Sequence, residues 1–137
     1  MRNILFVLSG PSGVGKGTIA KLLTERNKNV ALSISCTTRK PRENEIDGVH
    51  YFFISHDDFK KKIKQDGFLE YSEHFGNFYG TPKEFVDNKL LTNDVLLEID
   101  VNGGITVKEK LDKAVLIFIL PPSVEELKNR LKSRRSE

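Results

Sequence analysis

The residues best suited to chemistry come early: Gly10-Pro11-Ser12-Gly13-Val14-Gly15-Lys16-Gly17-Thr18, one residue beyond the apolar run Ile4 to Leu8. Glycines at 10, 13 and 15 remove the Cβ atoms that would block a tight turn. Successive backbone N–H groups can then converge on phosphate oxygens at a helix N-terminus, with Lys16 supplying positive charge. The spacing of Gly10 from Gly15-Lys16, between a strand pattern and a helical one, is that of a nucleotide phosphate loop. Gly17 departs from the pattern. A Ser or Thr hydroxyl usually stands there to meet Mg²⁺, and Thr18 is turned from it by about 100° on a 3.6-residue helix. A metal at this loop is therefore expected to be held differently, or mainly by the nucleotide.

A second group follows the next apolar run: Ser33-Ile34-Ser35-Cys36-Thr37-Thr38-Arg39-Lys40-Pro41-Arg42, with Glu45, Gly48 and Tyr51 beyond it. Arginine forks chelate a phosphate dianion through paired N–H···O bonds, which lysine matches less well. By itself, however, the Arg39–Arg42 turn fits a solvated basic loop equally well. Glu70 alone reads as a solvated strand carboxylate, and Phe52-Phe53 as strand core. His50, His56 and His74 lack metal-ligand spacing. Ser55-His56-Asp57-Asp58 has the composition of a hydrolytic triad but reads as a helix start capped by Ser55.

These groups need elements to hold them. Ile4–Ser9 is apolar on both faces, as in a buried parallel strand, and a helix is expected from Lys16 to about Asn27. A second strand covers Val30–Ser35. From Cys36 to about Leu91 the texture changes to short aromatic strands such as Tyr51–Ile54, a lysine-rich helix from Asp57 to Gln65, and turns at Asp47-Gly48, Gly76-Asn77 and Gly80. Thr81-Pro82-Lys83-Glu84 reads as a capping hydroxyl, a first-turn proline and a capping glutamate for a helix to about Leu90. Val95–Asp100 (strand), Gly104–Leu111 (helix) and Ala114–Leu120 (strand, covered on both faces) complete the alternation. After Pro121-Pro122, Ser123-Val124-Glu125-Glu126 opens a further helix.

At 137 residues the chain suits one domain with an inserted lobe. A net charge of +3, gathered in local clusters, favours small anionic ligands over a nucleic-acid duplex. Cys36 is the only cysteine, which excludes an internal disulfide and points to a reducing cytoplasm. The apolar run after Met1-Arg2 is too short for a secretion signal, and no stretch is long enough to span a bilayer.

Together, the loop Gly10–Thr18, the Ser33–Arg42 segment with Glu45, Gly48 and Tyr51, Phe68-Leu69-Glu70, Asn77-Phe78-Tyr79-Gly80-Thr81, Glu98-Ile99-Asp100 and Leu120-Pro121-Pro122-Ser123 carry a specific likeness. From Ile4 to its end the chain resembles the guanylate kinases of the nucleoside monophosphate kinase group. The resemblance implies an α/β fold: a P-loop NTPase-type parallel sheet flanked by helices (1–35 and 92–137) with an inserted GMP-binding lobe (36–91). It implies ATP as phosphoryl donor with Mg²⁺, and GMP or dGMP as acceptor. Gly10 to Thr18 would hold ATP. Ser35, Arg39, Arg42, Tyr51 and Tyr79 would receive the GMP phosphate, with Glu70, Thr81, Glu98 and Asp100 around its base. Lys16, Arg39, Arg42 and Arg134 would be catalytic, Arg134 sharing a helix face with Arg130 at the start of a lid. Asp100 would reach Mg²⁺ through water.

Members of that family continue with the rest of the lid, a further arginine, an Asn-Asp segment, another parallel strand and a closing helix. The chain therefore resembles a C-terminally truncated member, expected to keep the GMP lobe and phosphate loop while impaired in ATP closure and turnover. Two other readings compete: a non-catalytic guanylate-kinase-like module that binds phosphopeptides, and a kinase of another small phosphate acceptor. The intact Gly13, Gly15 and Lys16 speak against the first.

Overall fold

A computed structural model of the chain describes residues 3–10 and 15–120. In order, the elements are β1 (Leu5–Ser9), α1 (Lys16–Arg26), β2 (Val30–Leu32), β3 (Cys36–Thr37), β4 (Phe52–Phe53), α2 (His56–Lys64), β5 (Phe68–His74), β6 (Asn77–Pro82), α3 (Lys83–Leu90), β7 (Asp94–Glu98), α4 (Val101–Lys110) and β8 (Val115–Phe118). The expected α/β architecture is present. One sheet is parallel, in the order β2-β7-β1-β8, and the other has the order β4-β3-β6-β5.

The central strands β1 and β7 are apolar on both faces because each face meets a helix layer. Leu5, Val7, Val95 and Leu97 pack with Val86 of α3 and Val107 of α4, whereas Leu8 and Leu96 pack with Ala20 of α1. Alternate residues thus enter alternate layers, as the period of a strand requires. The second sheet has its own core, in which Phe59 of α2 stacks on Phe68 at 4.4 Å and Phe78 at 5.2 Å between ring centroids. Gly80 permits this. A Cβ there would stand 2.8 Å from Phe68 Cδ1 and 3.0 Å from Phe59 Cζ.

Several local expectations are corrected. Gly80 lies inside β6 rather than in a turn, and β6 runs on through Pro82. Thr81 is consequently a strand residue and does not cap α3, whose N-cap is Pro82 with no side-chain hydrogen bond. The helix expected from Gly104 begins at Val101, capped by Asp100, whose carboxylate accepts from Gly103 N–H at 2.7 Å. Its two glycines sit in the helix because neighbours approach closely: a Cβ on Gly104 would come 3.0 Å from Leu116 Cδ1. β2 is shorter than expected. β8 is not covered on both faces, since its four residues are 38–47% exposed. It is the end strand of its sheet among the described residues, with β1 on one side. Ser55 does cap α2, accepting from Asp58 N–H at 3.0 Å. The helix expected after Ser123 lies outside the described residues.

Candidate functional site

At the carboxyl end of β1 the chain passes from Gly10 to Gly15, the N-cap of α1, which holds φ at +95° in the left-handed region that glycine adopts freely. Among the described residues no side chain caps α1, and no acidic residue stands in its first turn. Its leading amides and positive dipole end are thus available to an anion. Lys16 is half-buried beside them. Position 17 faces β7, where a Cβ would lie 3.6 Å from Glu98 Oε1. That is an ordinary contact distance, so a Cβ is tolerated there among the described residues. Pro11, Ser12, Gly13, Val14, Arg130 and Arg134 lie outside the described residues.

Beyond β7 a cleft of about 580 Å³ opens between the two sheets. Ser35, Arg42, Tyr51 and Tyr79 line it, and so do Glu70, Glu98 and Asp100. Seven residues singled out in the sequence thus come from five separate segments into one space. It is built by strand ends. β7 delivers Glu98, the turn into α4 delivers Asp100, and β6 pairs Tyr79 with Ser72 across the hairpin.

Glu70 owes its position to a bulge. The register of β5 on β6 shifts between Phe68 and Glu70, so Leu69 enters the core of the parallel sheet while Glu70 turns to Thr81. Glu70 Oε2 accepts from both the backbone N–H and the hydroxyl of Thr81, each at 3.2 Å. Thr81 is fully buried and its hydroxyl is committed to Glu70. Oε1 has no hydrogen-bond partner among the described residues and lies against the first turn of α4. A Cβ on Gly103 would stand 2.6 Å from it and 3.1 Å from Asp100 Oδ1. Burial pushes the Glu70 carboxyl above its ordinary value, opposed by the Thr81 hydrogen bonds and reinforced by Asp100.

Arg39 does not line this cleft itself but adjoins Tyr51, which does. Its guanidinium stands 5.4 Å over the ring of Tyr51 and makes a two-pronged ion pair with Glu45, at 2.9 and 3.1 Å. Tyr51 meets Tyr79 edge-on at 6.2 Å, so the two arginines flank one aromatic corner. Sequence reasoning missed Ser72, His74 and Phe75, which also line the cleft. A signal existed for two of them, because Glu70, Ser72 and His74 alternate along one strand face. Phe75 sits at φ +53° in the hairpin turn, where nothing in its residue type announces a site.

Glu98 and Asp100 are the carboxylates at the carboxyl end of β7. Among the described residues no three His, Cys, Asp or Glu side chains gather as a metal cluster. One or two carboxylates suit Mg²⁺, which keeps its waters and takes phosphate oxygens as ligands. One oxygen of Asp100 is already engaged by Gly103 N–H. No described helix is long and apolar enough to cross a membrane.

Comparison with known proteins follows the same lines. The guanylate kinase family model matches residues 2–137. Guanylate kinase of Caldanaerobacter subterraneus subsp. tengcongensis is 56% identical over 137 residues, covering 99% of this chain and 66% of that protein. Guanylate kinase of Clostridium perfringens (strain 13 / Type A) is 53% identical, covering 99% and 63%. A crystal structure of guanylate kinase from Anaplasma phagocytophilum superposes with a TM-score of 0.74 at 35% identity, covering 96% of this chain and 66% of that one. The chain spans about two thirds of the length of the curated relatives it matches.

Proposed function

This chain belongs to the guanylate kinase family, and from that premise we propose that it serves transfer of the γ-phosphoryl group of ATP to GMP or dGMP in the cytoplasm. One observation supports the acceptor above all: a buried carboxylate, fixed through one oxygen by Thr81, shares a cleft with Arg42, Tyr51 and Tyr79. Guanine offers donors at N1 and N2, and an ionised carboxylate only accepts. Adenine has an acceptor at N1, and each buried group left unpaired costs about 1–3 kcal/mol. The role expected for the Thr81 hydroxyl at the base is thereby recast: it orients Glu70.

Phosphoryl transfer asks the protein mainly for alignment and charge stabilisation. In this reading Lys16 and the amides at the start of α1 hold the donor phosphates. Arg42 and Arg39 offset the acceptor's charge, which otherwise repels the incoming phosphoryl group. Mg²⁺, when bound with ATP, draws charge off the phosphate oxygens; Glu98 and Asp100 would meet its waters. Arg134 is assigned to the donor side on the family resemblance.

Isothermal titration with GMP, AMP and ATP tests the proposal. GMP is expected to bind and AMP not to bind measurably, with ATP binding lost in Lys16→Ala. Equal affinity for AMP and GMP would refute the guanine assignment. Binding of GMP with no Lys16-dependent binding of ATP would favour the non-catalytic module.

A further inference from the structure

Glu45 lies outside the cleft and has no place in the mechanism above, yet more of the arginine corner depends on it than on any other side chain. Its Oε1 accepts from Arg39 Nη1 at 2.9 Å and from the Arg42 backbone N–H at 2.7 Å, and its Oε2 accepts from Arg39 Nη2 at 3.1 Å. Glu45 N–H in turn donates to Arg42 carbonyl oxygen at 3.0 Å, which closes the turn. Nη1 of Arg39 also donates to the Lys40 carbonyl oxygen at 3.1 Å. The Tyr79 hydroxyl also engages the Arg39 guanidinium, and the donors not used by Glu45 or Lys40 are the Nε–H and the second hydrogen of Nη2. Those two lie along one edge of the fork and form a second bidentate face.

Resting on the GMP reading, we infer that Glu45 is a positioning residue for the acceptor phosphate: it grips Arg39 end-on and anchors the Arg42 backbone, leaving the Nε edge of Arg39 to chelate phosphate. The Tyr51 ring beneath the guanidinium holds the same plane from the other side. Both members of the pair are largely shielded, at 14% and 18% side-chain exposure. The Arg39 hydrogen bonds, then the Arg42 N–H, lower the Glu45 carboxyl from 4.5 to about 2. The grip therefore persists at every pH near neutrality. A competing account makes Glu45 a stand-in for phosphate that must be expelled before GMP binds. The two accounts predict opposite signs.

Titration of GMP and guanosine into the full chain and its Glu45→Gln, Glu45→Asp, Arg39→Ala and Arg39→Ala/Glu45→Gln variants separates them. Glu45→Gln is expected to weaken GMP by about tenfold, the scale of one charge-assisted hydrogen bond. Guanosine, which lacks the phosphate, is expected to be unaffected. Glu45→Asp is expected to recover part of the loss, and Glu45→Gln to add nothing to Arg39→Ala. Unchanged or tighter GMP binding by Glu45→Gln, or an equal loss for guanosine, would overturn the inference. Loss of the folded state in both Gln and Asp variants would assign Glu45 to the fold and overturn it too. Failure of the unsubstituted chain to bind GMP would instead strike the substrate reading.

Discussion

Burial raises Glu70 above the ordinary 4.5 against the pull of the two Thr81 hydrogen bonds, so the folded chain holds this proton more tightly than the unfolded chain does. Stability linked to Glu70 is accordingly present in acid and declines as pH rises from 4.5 through the raised folded value. Glu70→Gln removes that decline while its amide oxygen can still accept from Thr81. At pH 7 it is expected to be at least as stable as the parent in urea unfolding. Its amide NH₂ then faces the guanine donors, and GMP affinity is expected to fall by at least about thirtyfold. The parent-to-variant affinity ratio should shrink as pH drops and Glu70 takes up its proton. Gly103→Ala tests the same carboxylate from the other side, because the added methyl meets Glu70 Oε1 first. A small change in thermal midpoint with about a tenfold loss of GMP affinity is expected, since a re-aimed carboxylate loses charge-assisted bonds. None of this could be read from Glu70 as a letter in the chain. A lone glutamate after Phe68-Leu69 has the pattern of a wet strand, and its burial depends on α4 and Thr81, which the fold brings to it.

At the level of elements, legibility followed the range of the forces involved. β1, α1 and β7 were evident because their patterns answer to two helix layers. Thr81 misled because it has the right type and spacing for a cap, while its hydroxyl is spent across the hairpin on Glu70. Gly103 and Gly104 misled for a related reason. The helix expected from Gly104 in fact includes both, and each makes room for a neighbour distant in sequence. Gly80 also looked like a turn and is a packing glycine. Gly80→Ala is expected to cost about 1–3 kcal/mol, because a methyl there collides with the stacked rings of Phe68 and Phe59. Chemical denaturation measures it, and a neutral result would mean that the aromatic stack yields easily.

Across the whole molecule, the two sheets share a core. Leu69 of β5 and Val86 of α3 pack with Leu5, Val7, Val95 and Val107 around the parallel sheet. The bulge in β5 makes this possible by sending Phe68 into one core and Leu69 into the other. The change of texture near Cys36 was visible along the chain, but this seam was not, because adjacent residues serving two cores leave no periodic trace. Calorimetry is expected to record one cooperative endotherm, shifted as a whole by GMP. At a hundredfold excess over Kd the gain is about 2.7 kcal/mol, and two separated endotherms would refute a shared core. The stitch at Leu69 thus ties the cleft to the entire fold: a guest seated beside the aromatic corner is expected to slow amide exchange in β1, on the far side of the seam, without touching it.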